Sequence, residues 1–284
     1  MRLGINLLCL TDRVGPEHSG VLARLKEIGW DGVEVPILSG RPDDYAVLAR
    51  RLDELDLRRT ATAIVPSPSA DPTSADPEVR ARGIAHLDWA LDCAVALGAE
   101  SLGGPIHAPL GHFTGRGPTE DELARGAEAH RALAERAAIT GAFLSLETLN
   151  RFETHFLNTA AQARAYAEQV GHPGCRIMHD TFHANIEERD PIGAPVTLGE
   201  HLGVLHVSEN DRGIPGRGHI DFPAIFARLR QSGWDGWVIM EAFGSGLPNI
   251  AAATRVWRPL FPDLDTLWTE GHAFIRRTWD GAAA

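Results

Sequence analysis

The sequence predicts an α/β chain that closes into a (β/α)8 TIM barrel, and three observations carry that expectation. Eight short runs rich in Val, Ile and Leu recur from one end of the chain to the other. Each is apolar on both faces, as a strand buried between a barrel interior and an outer helix layer must be. Longer amphipathic stretches separate them, the alternation that builds a parallel sheet.

In order, strands are expected at 2–9, 32–37, 58–65, 100–107, 142–149, 175–182, 204–209 and 236–243. Helical patterns lie between them at Val21 to Ile28, Tyr45 to Leu55, Val79 to Leu97, Glu120 to Ile139, Ala160 to Val170 and Phe222 to Leu229. After the eighth strand, 264–279 reads as an additional C-terminal helix that can pack on the barrel or on a partner subunit. One phrase recurs, Gly29-Trp30-Asp31-Gly32-Val33-Glu34 and Gly233-Trp234-Asp235-Gly236-Trp237-Val238. In each, a left-handed glycine ends a helix and an Asp-Gly turn feeds a strand, so both are read as turns on the stability face. Pro/Ser-rich 66–77 and Gly/Pro-rich 111–118 each follow a strand and precede a helix, which makes them loops over the mouth. At 284 residues and 44% hydrophobic, 1–284 is expected to form one catalytic barrel domain.

Charge narrows the partners. With 27 Lys and Arg against 38 Asp and Glu, the formal net charge is -11, which argues against nucleic acid or an anionic membrane surface. Cys9, Cys93 and Cys175 are widely spaced and suit reduced thiols rather than a disulfide framework. The N-terminus carries Asn6 inside its short apolar stretch, and no apolar run approaches a bilayer-spanning length, so the expected location is the cytoplasm.

In such a barrel the active site lies at the C-terminal strand ends. Glu147 ends the fifth run, Asp180 ends the sixth, His206 lies in the seventh and Glu241 ends the eighth. Period-two counting aligns Phe143, Ser145 and Glu147 on one face and Trp237, Ile239 and Glu241 on another, so both glutamates point inward. A lone acid or His at a strand end is ordinarily a cap or an ion-pair partner. Four at one level in consecutive strands instead suit a divalent cation, because three carboxylates and an imidazole would otherwise repel in an apolar interior. Oxygen-rich ligation with one nitrogen favours Mn2+, Co2+ or Mg2+ over a thiolate-type site. His86, His130, His172, His201 and His272 sit in helical or turn contexts and read as surface or packing residues, while His179 beside Asp180 faces the helices. A second tier follows the first: Asn150-Arg151-Phe152-Glu153, Thr181-Phe182-His183 and Glu209-Asn210-Asp211-Arg212 are expected at the rim, where substrate hydroxyls would lie.

The segments Leu146 to Thr154, Asp180 to Glu188 and His206 to Gly213, with Gly216 to Asp221 and Glu241-Ala242-Phe243, resemble the ketose 3-epimerases of the D-tagatose 3-epimerase and D-psicose (D-allulose) 3-epimerase type, in the xylose isomerase-like superfamily. The N-terminal half matches mainly in layout. The resemblance implies one divalent ion per subunit, Mn2+ or Co2+ first and Mg2+ next, held by Glu147, Asp180, His206 and Glu241. It implies that Glu153, His183 and Arg212 bind the C1 to C3 end of the sugar and that Phe243 walls the distal carbons. Departures fall at His107-Ala108, Leu7-Leu8 and the 66–75 loop, where specificity is expected to be set.

The reaction so implied inverts C3 of a free ketose of the D-tagatose, D-fructose, D-psicose or L-ribulose class through a cis-enediolate. Glu147 and Glu241 remove and return the proton on opposite faces, each serving as base in one direction and acid in the other. The same metal and acids acting on another carbon would give an aldose-ketose isomerase, including a hydroxypyruvate isomerase-like enzyme, or an inosose dehydratase-like lyase. A phosphodiesterase of the endonuclease IV type needs further clustered ligands and a basic groove, which the -11 charge opposes. The glycines of 213–218 and 244–246 read as flexible loop or lid turns rather than a phosphate cradle. The expected partners are a small-molecule sugar and further copies of the chain, as a homodimer or homotetramer, with no nucleic acid and no membrane.

Overall fold

The computed structural model describes residues 1–281, so the last three residues of the expected 1–284 domain lie outside the described residues. Eight strands run β1 (Arg2–Asn6), β2 (Gly32–Pro36), β3 (Arg58–Thr62), β4 (Ser101–Gly104), β5 (Phe143–Glu147), β6 (Cys175–Asp180), β7 (Leu202–Val207) and β8 (Trp237–Met240). All neighbours pair in parallel and β1 closes on β8, so among the described residues the sheet is a complete barrel with no open edge. The helices are α1 (Ser19–Ile28), α2 (Pro42–Glu54), α3 (Pro77–Leu97), α4 (Glu120–Ile139), α5 (Ala160–Val170), α6 (Thr181–Glu187), α7 (Ala194–Thr197), α8 (Phe222–Gln231), α9 (Pro248–Thr254) and α10 (Leu264–Gly281). Among the described residues no helix is long and apolar enough to cross a membrane.

Most strands stop before their apolar runs do. The first run was expected to reach residue 9, but Asn6 caps a 3-10 turn at Leu7–Cys9 by accepting the Leu8 N–H. The sixth was expected to reach residue 182, but Asp180 caps α6 through the His183 N–H, so Thr181 is already helical. The apolar residues beyond the strand ends wall the mouth, and periodicity cannot distinguish that role from strand. β7 starts earlier than expected because Gly203, which carries no apolar signal, faces inward against Phe143 and Ser145.

The barrel floor is filled asymmetrically. A Cβ at Gly4 would meet Ile239 at 2.6 Å, one at Gly32 would meet Trp237 at 2.8 Å, and one at Gly103 would meet Met178 at 2.5 Å. Strands β1, β2 and β4 thus give up side chains so that large ones from β6 and β8 can fill the interior. Met178, Val204, Trp237 and Ile239 are fully buried there, and they form a dry base beneath the polar groups above. The repeated Gly-Trp-Asp turns sit at the opposite end, with Gly29 and Gly233 at φ +110° and +73°. Asp31 accepts the Leu3 N–H at 2.7 Å and pairs with Arg276 of α10 at 2.9 Å, so the extra helix is pinned to the barrel itself.

Burial has a measurable consequence at three histidines. It pushes His107 down to about 3 and His130 and His179 down to about 4, so all three fold neutral. The unfolded chain protonates them near pH 6.5, so their contribution is complete above that pH and is lost as pH falls towards the folded values. At pH 5 the loss is about 2 kcal/mol at each. Denaturant unfolding is expected to show stability falling between pH 7 and pH 5, with a shallower slope in His130→Gln. An unchanged slope in that variant would contradict the assignment.

Candidate metal centre

Four side chains meet above the dry floor. Asp180 and His206 are in-register partners on β6 and β7, and His206 pairs with Ile239 on β8, so Glu241 stands one inward-facing position higher. Glu147 joins them as the last residue of β5. Each of Glu147, Asp180, His206 and Glu241 offers one ligand atom, and these atoms lie within 4.8 Å of one another. His206 Nδ1 is 3.4 Å from Glu241, 3.8 Å from Asp180 and 4.0 Å from Glu147. That nitrogen is buried without a hydrogen-bond partner among the described residues. Burial opposes a proton on His206, but the Glu34 and Glu241 carboxylates overcome it and raise the ring well above its ordinary range. An ion displaces that proton, and Nδ1 with three carboxylate oxygens is a donor set that fits a hard or borderline divalent ion, so the residues suit the group the sequence implies.

The electrostatics show how strained the carboxylates are in one another's company. Burial, reinforced by the Glu241 charge, pushes Glu147 well above the ordinary carboxylate range. Burial also pushes Asp180 up to about 7, against the pull of Arg212. Glu241 goes the other way: burial opposes its ionisation, but the charges of His206 and Arg212 overcome it and hold the carboxyl well down. Glu147 and Glu241 thus differ because the positive groups bear more strongly on Glu241.

Arg212 closes the cluster from the rim. It is a non-glycine residue at φ +68°, and its Nη1 donates to Glu241 at 2.5 Å, Ser208 Oγ at 3.0 Å and Asp180 at 3.3 Å. Its guanidinium lies over the Phe182 ring at 3.8 Å, with the Phe243 ring at 5.1 Å. Arg212 Nη2 is 2.9 Å from His183 Nε2, while His183 Nδ1 accepts the Asn150 N–H at 3.0 Å. Glu153 accepts from the Asn150 side chain at 2.9 Å. Glu153, His183, Arg212 and Phe243 all line one cavity of about 120 Å³ with Glu147 and Glu241. Its other walls are mainly apolar, including Leu8, Leu38, Ile64 and Leu110.

Several expectations need correction. Glu209 does not face the rim: it is fully buried and accepts the N–H groups of Asn210, Gly216 and Ile220. Its carboxylate is therefore spent on the loop backbone at Gly216 and Ile220 and is turned away from the cavity. Thr181 is likewise spent on the Ser208 backbone, and Arg151 pairs with Glu187. His107 is fully buried, stacks on Phe156 and contacts the Glu147 carbonyl through Nε2 at 2.9 Å, so it supports a strand end instead of lining the cavity. Glu34 was grouped with a stability-face turn, yet it lies inside the barrel with Oε1 2.8 Å from His206 Nε2. Its even spacing from the inward-facing Gly32 was the signal available in the sequence. Helix α9 was not foreseen, and its Ile250, Ala253 and Thr254 line the cavity.

Comparison with known proteins gives a consistent picture. A profile of the xylose isomerase-like TIM barrel family matches residues 22–278. The L-ribulose 3-epimerase of Methylomonas sp. strain DH-1 is 34% identical over 260 residues, which is 91% of this chain and 90% of that protein. The D-psicose 3-epimerase of Agrobacterium fabrum is 34% identical over 245 residues, 84% of each. A crystal structure of D-allulose 3-epimerase from Methylomonas sp. in complex with D-allulose superposes with a TM-score of 0.90 at 31% identity, covering 98% of this chain and 97% of that one.

Proposed function

The chain belongs to the xylose isomerase-like TIM barrel family, and from that premise we propose that it is an isomerase, a metal-dependent epimerase that inverts C3 of a free ketose. The observation that carries the reading is the convergence of Glu147, Asp180, His206 and Glu241 at the C-terminal ends of neighbouring strands, beside a cavity sized for a small molecule. These four hold one divalent ion, Mn2+ or Co2+ in preference to Mg2+. When bound, the ion supplies electrostatic stabilisation to the negative charge that grows on the ketose oxygens as the C3 proton leaves.

The remaining chemistry belongs to the side chains. Glu147 comes from β5 and Glu241 from just beyond β8, three strands apart in an eight-strand ring, so they reach the cavity from different sides. Each takes the C3 proton of one epimer and returns one to the other. Arg212, His183 and Glu153, which line the cavity, hydrogen-bond the C1 to C3 end of the sugar. Phe243 and the aliphatic wall receive the distal carbons and keep water from the reacting carbon.

The test is a screen of ketohexoses and ketopentoses in heavy water with the products identified. The expected result is the C3 epimer carrying deuterium at C3, because the returning carboxyl exchanges its proton with solvent. Label at C1 or loss of the C3 hydroxyl would replace this reading with an isomerase or a dehydratase.

A further inference from the structure

Glu34 is a fully buried carboxylate between the outward-facing Val33 and Val35 of β2, where an ion is costly unless it is well partnered. Two of its partners are neutral. Its Oε1 accepts from Asn6 Nδ2 at 2.9 Å and its Oε2 accepts from Thr60 Oγ1 at 3.2 Å. The remaining neighbour is His206, whose Nε2 lies 2.8 Å from Oε1 although off the ring N–H axis. Asn6 reaches further, because its amide also donates to Glu241 Oε1 at 3.3 Å while its Oδ1 accepts the Leu8 N–H at 2.8 Å. A flipped amide would set an NH2 against that N–H and an oxygen against two carboxylates, so the orientation of Asn6 is determined.

We infer that Asn6 and Glu34 form a polar brace, reaching across the barrel from β1 and β2, that orients His206 and Glu241 for the divalent ion. The inference rests on the metal reading above. An imidazole has one N–H and one lone pair when neutral, so a carboxylate at Nε2 draws the proton there and leaves Nδ1 bare towards the three ligand carboxylates. Nδ1 is the nitrogen that points at them. Asn6 restrains the second ligand in the same way, by fixing one Glu241 oxygen. Glu34 and Asn6 are therefore positioning residues, which act through the ligands and not on the sugar.

The experiment is calorimetric titration of Mn2+ into chelator-stripped wild-type protein and Glu34→Gln, with the melting temperature of each metal-free form measured alongside. Gln keeps the shape and an acceptor oxygen but removes the charge. The expected result is a Kd about 10–100-fold weaker at unchanged one-to-one stoichiometry, with no fall in the metal-free melting temperature. Equal affinity in the variant would overturn the brace while leaving the metal reading intact. Failure of the wild-type protein to bind any ion would instead overturn the metal reading itself. A second measurement covers a variant that does not fold: in 15N-histidine-labelled wild-type protein loaded with Zn2+, the His206 proton is expected on Nε2. A proton on Nδ1 would overturn the inference.

Discussion

Stripping the divalent ion with a strong chelator is expected to abolish epimerisation, and adding back Mn2+ or Co2+ is expected to restore it at one ion per chain. The reasoning is electrostatic. Glu147, Asp180 and Glu241 crowd around His206 Nδ1, with a fourth carboxylate, Glu34, behind it, and among the described residues Arg212 is the one fixed positive charge in contact. Such a cluster stays fully ionised only if a further cation shares it. The ion supplies several kcal/mol of stabilisation to charge that develops on the sugar, so its loss costs about a thousandfold or more. Chelation should also lower the melting temperature, because a ligand bound only by the folded state stabilises it by about 2.7 kcal/mol at a hundred times its Kd. Arg212→Ala separates ligand from contact: kcat/KM should fall steeply while the one-ion stoichiometry holds. Full turnover in rigorously metal-free protein would end the metal reading.

Legibility in the sequence followed the range of the interaction that placed each residue. The eight strands could be read because a parallel barrel buries both faces and leaves continuous apolar runs. The inward direction of Glu147 and Glu241 followed from counting by two along β5 and β8. Strand ends were less legible, since Leu8, Ile64 and Phe243 are apolar for the sake of the cavity and not the sheet. Glu34 was legible in direction alone, through its spacing of two from Gly32, and not in partner. Within Val33-Glu34-Val35 nothing local says that β2 faces β7 across the barrel, and only the closed register brings the carboxylate to His206. Glu209 and Asn150 misled in the opposite sense. They are polar, near a strand end and of the right type for a sugar contact, yet their hydrogen bonds are consumed by the backbone of 216–220 and by His183 and Glu153. Which way such a loop residue points depends on turn geometry that composition does not encode.

Glu147→Gln and Glu241→Gln are each expected to lower kcat on the order of a thousandfold or more. Gln nearly preserves the volume and keeps an oxygen for the ion but cannot take a proton from carbon. Inversion at C3 needs removal on one side and return on the other, and β5 and the end of β8 supply one carboxyl each, so neither can replace its partner. Metal content must be measured in both variants, because each residue also faces His206 Nδ1 and a variant short of its ion would lose activity for the wrong reason. With the ion present, the two variants should differ in heavy water. One epimer presents its C3 hydrogen to the intact carboxyl, which can still remove it and return deuterium to the same face, so that epimer should slowly gain label without inverting. The other epimer presents its hydrogen to the amide and should gain none, and the assignment should reverse between the two variants. If either variant kept near-normal turnover on every ketose tried, the two-carboxylate mechanism would have to be abandoned, even with the metal site intact.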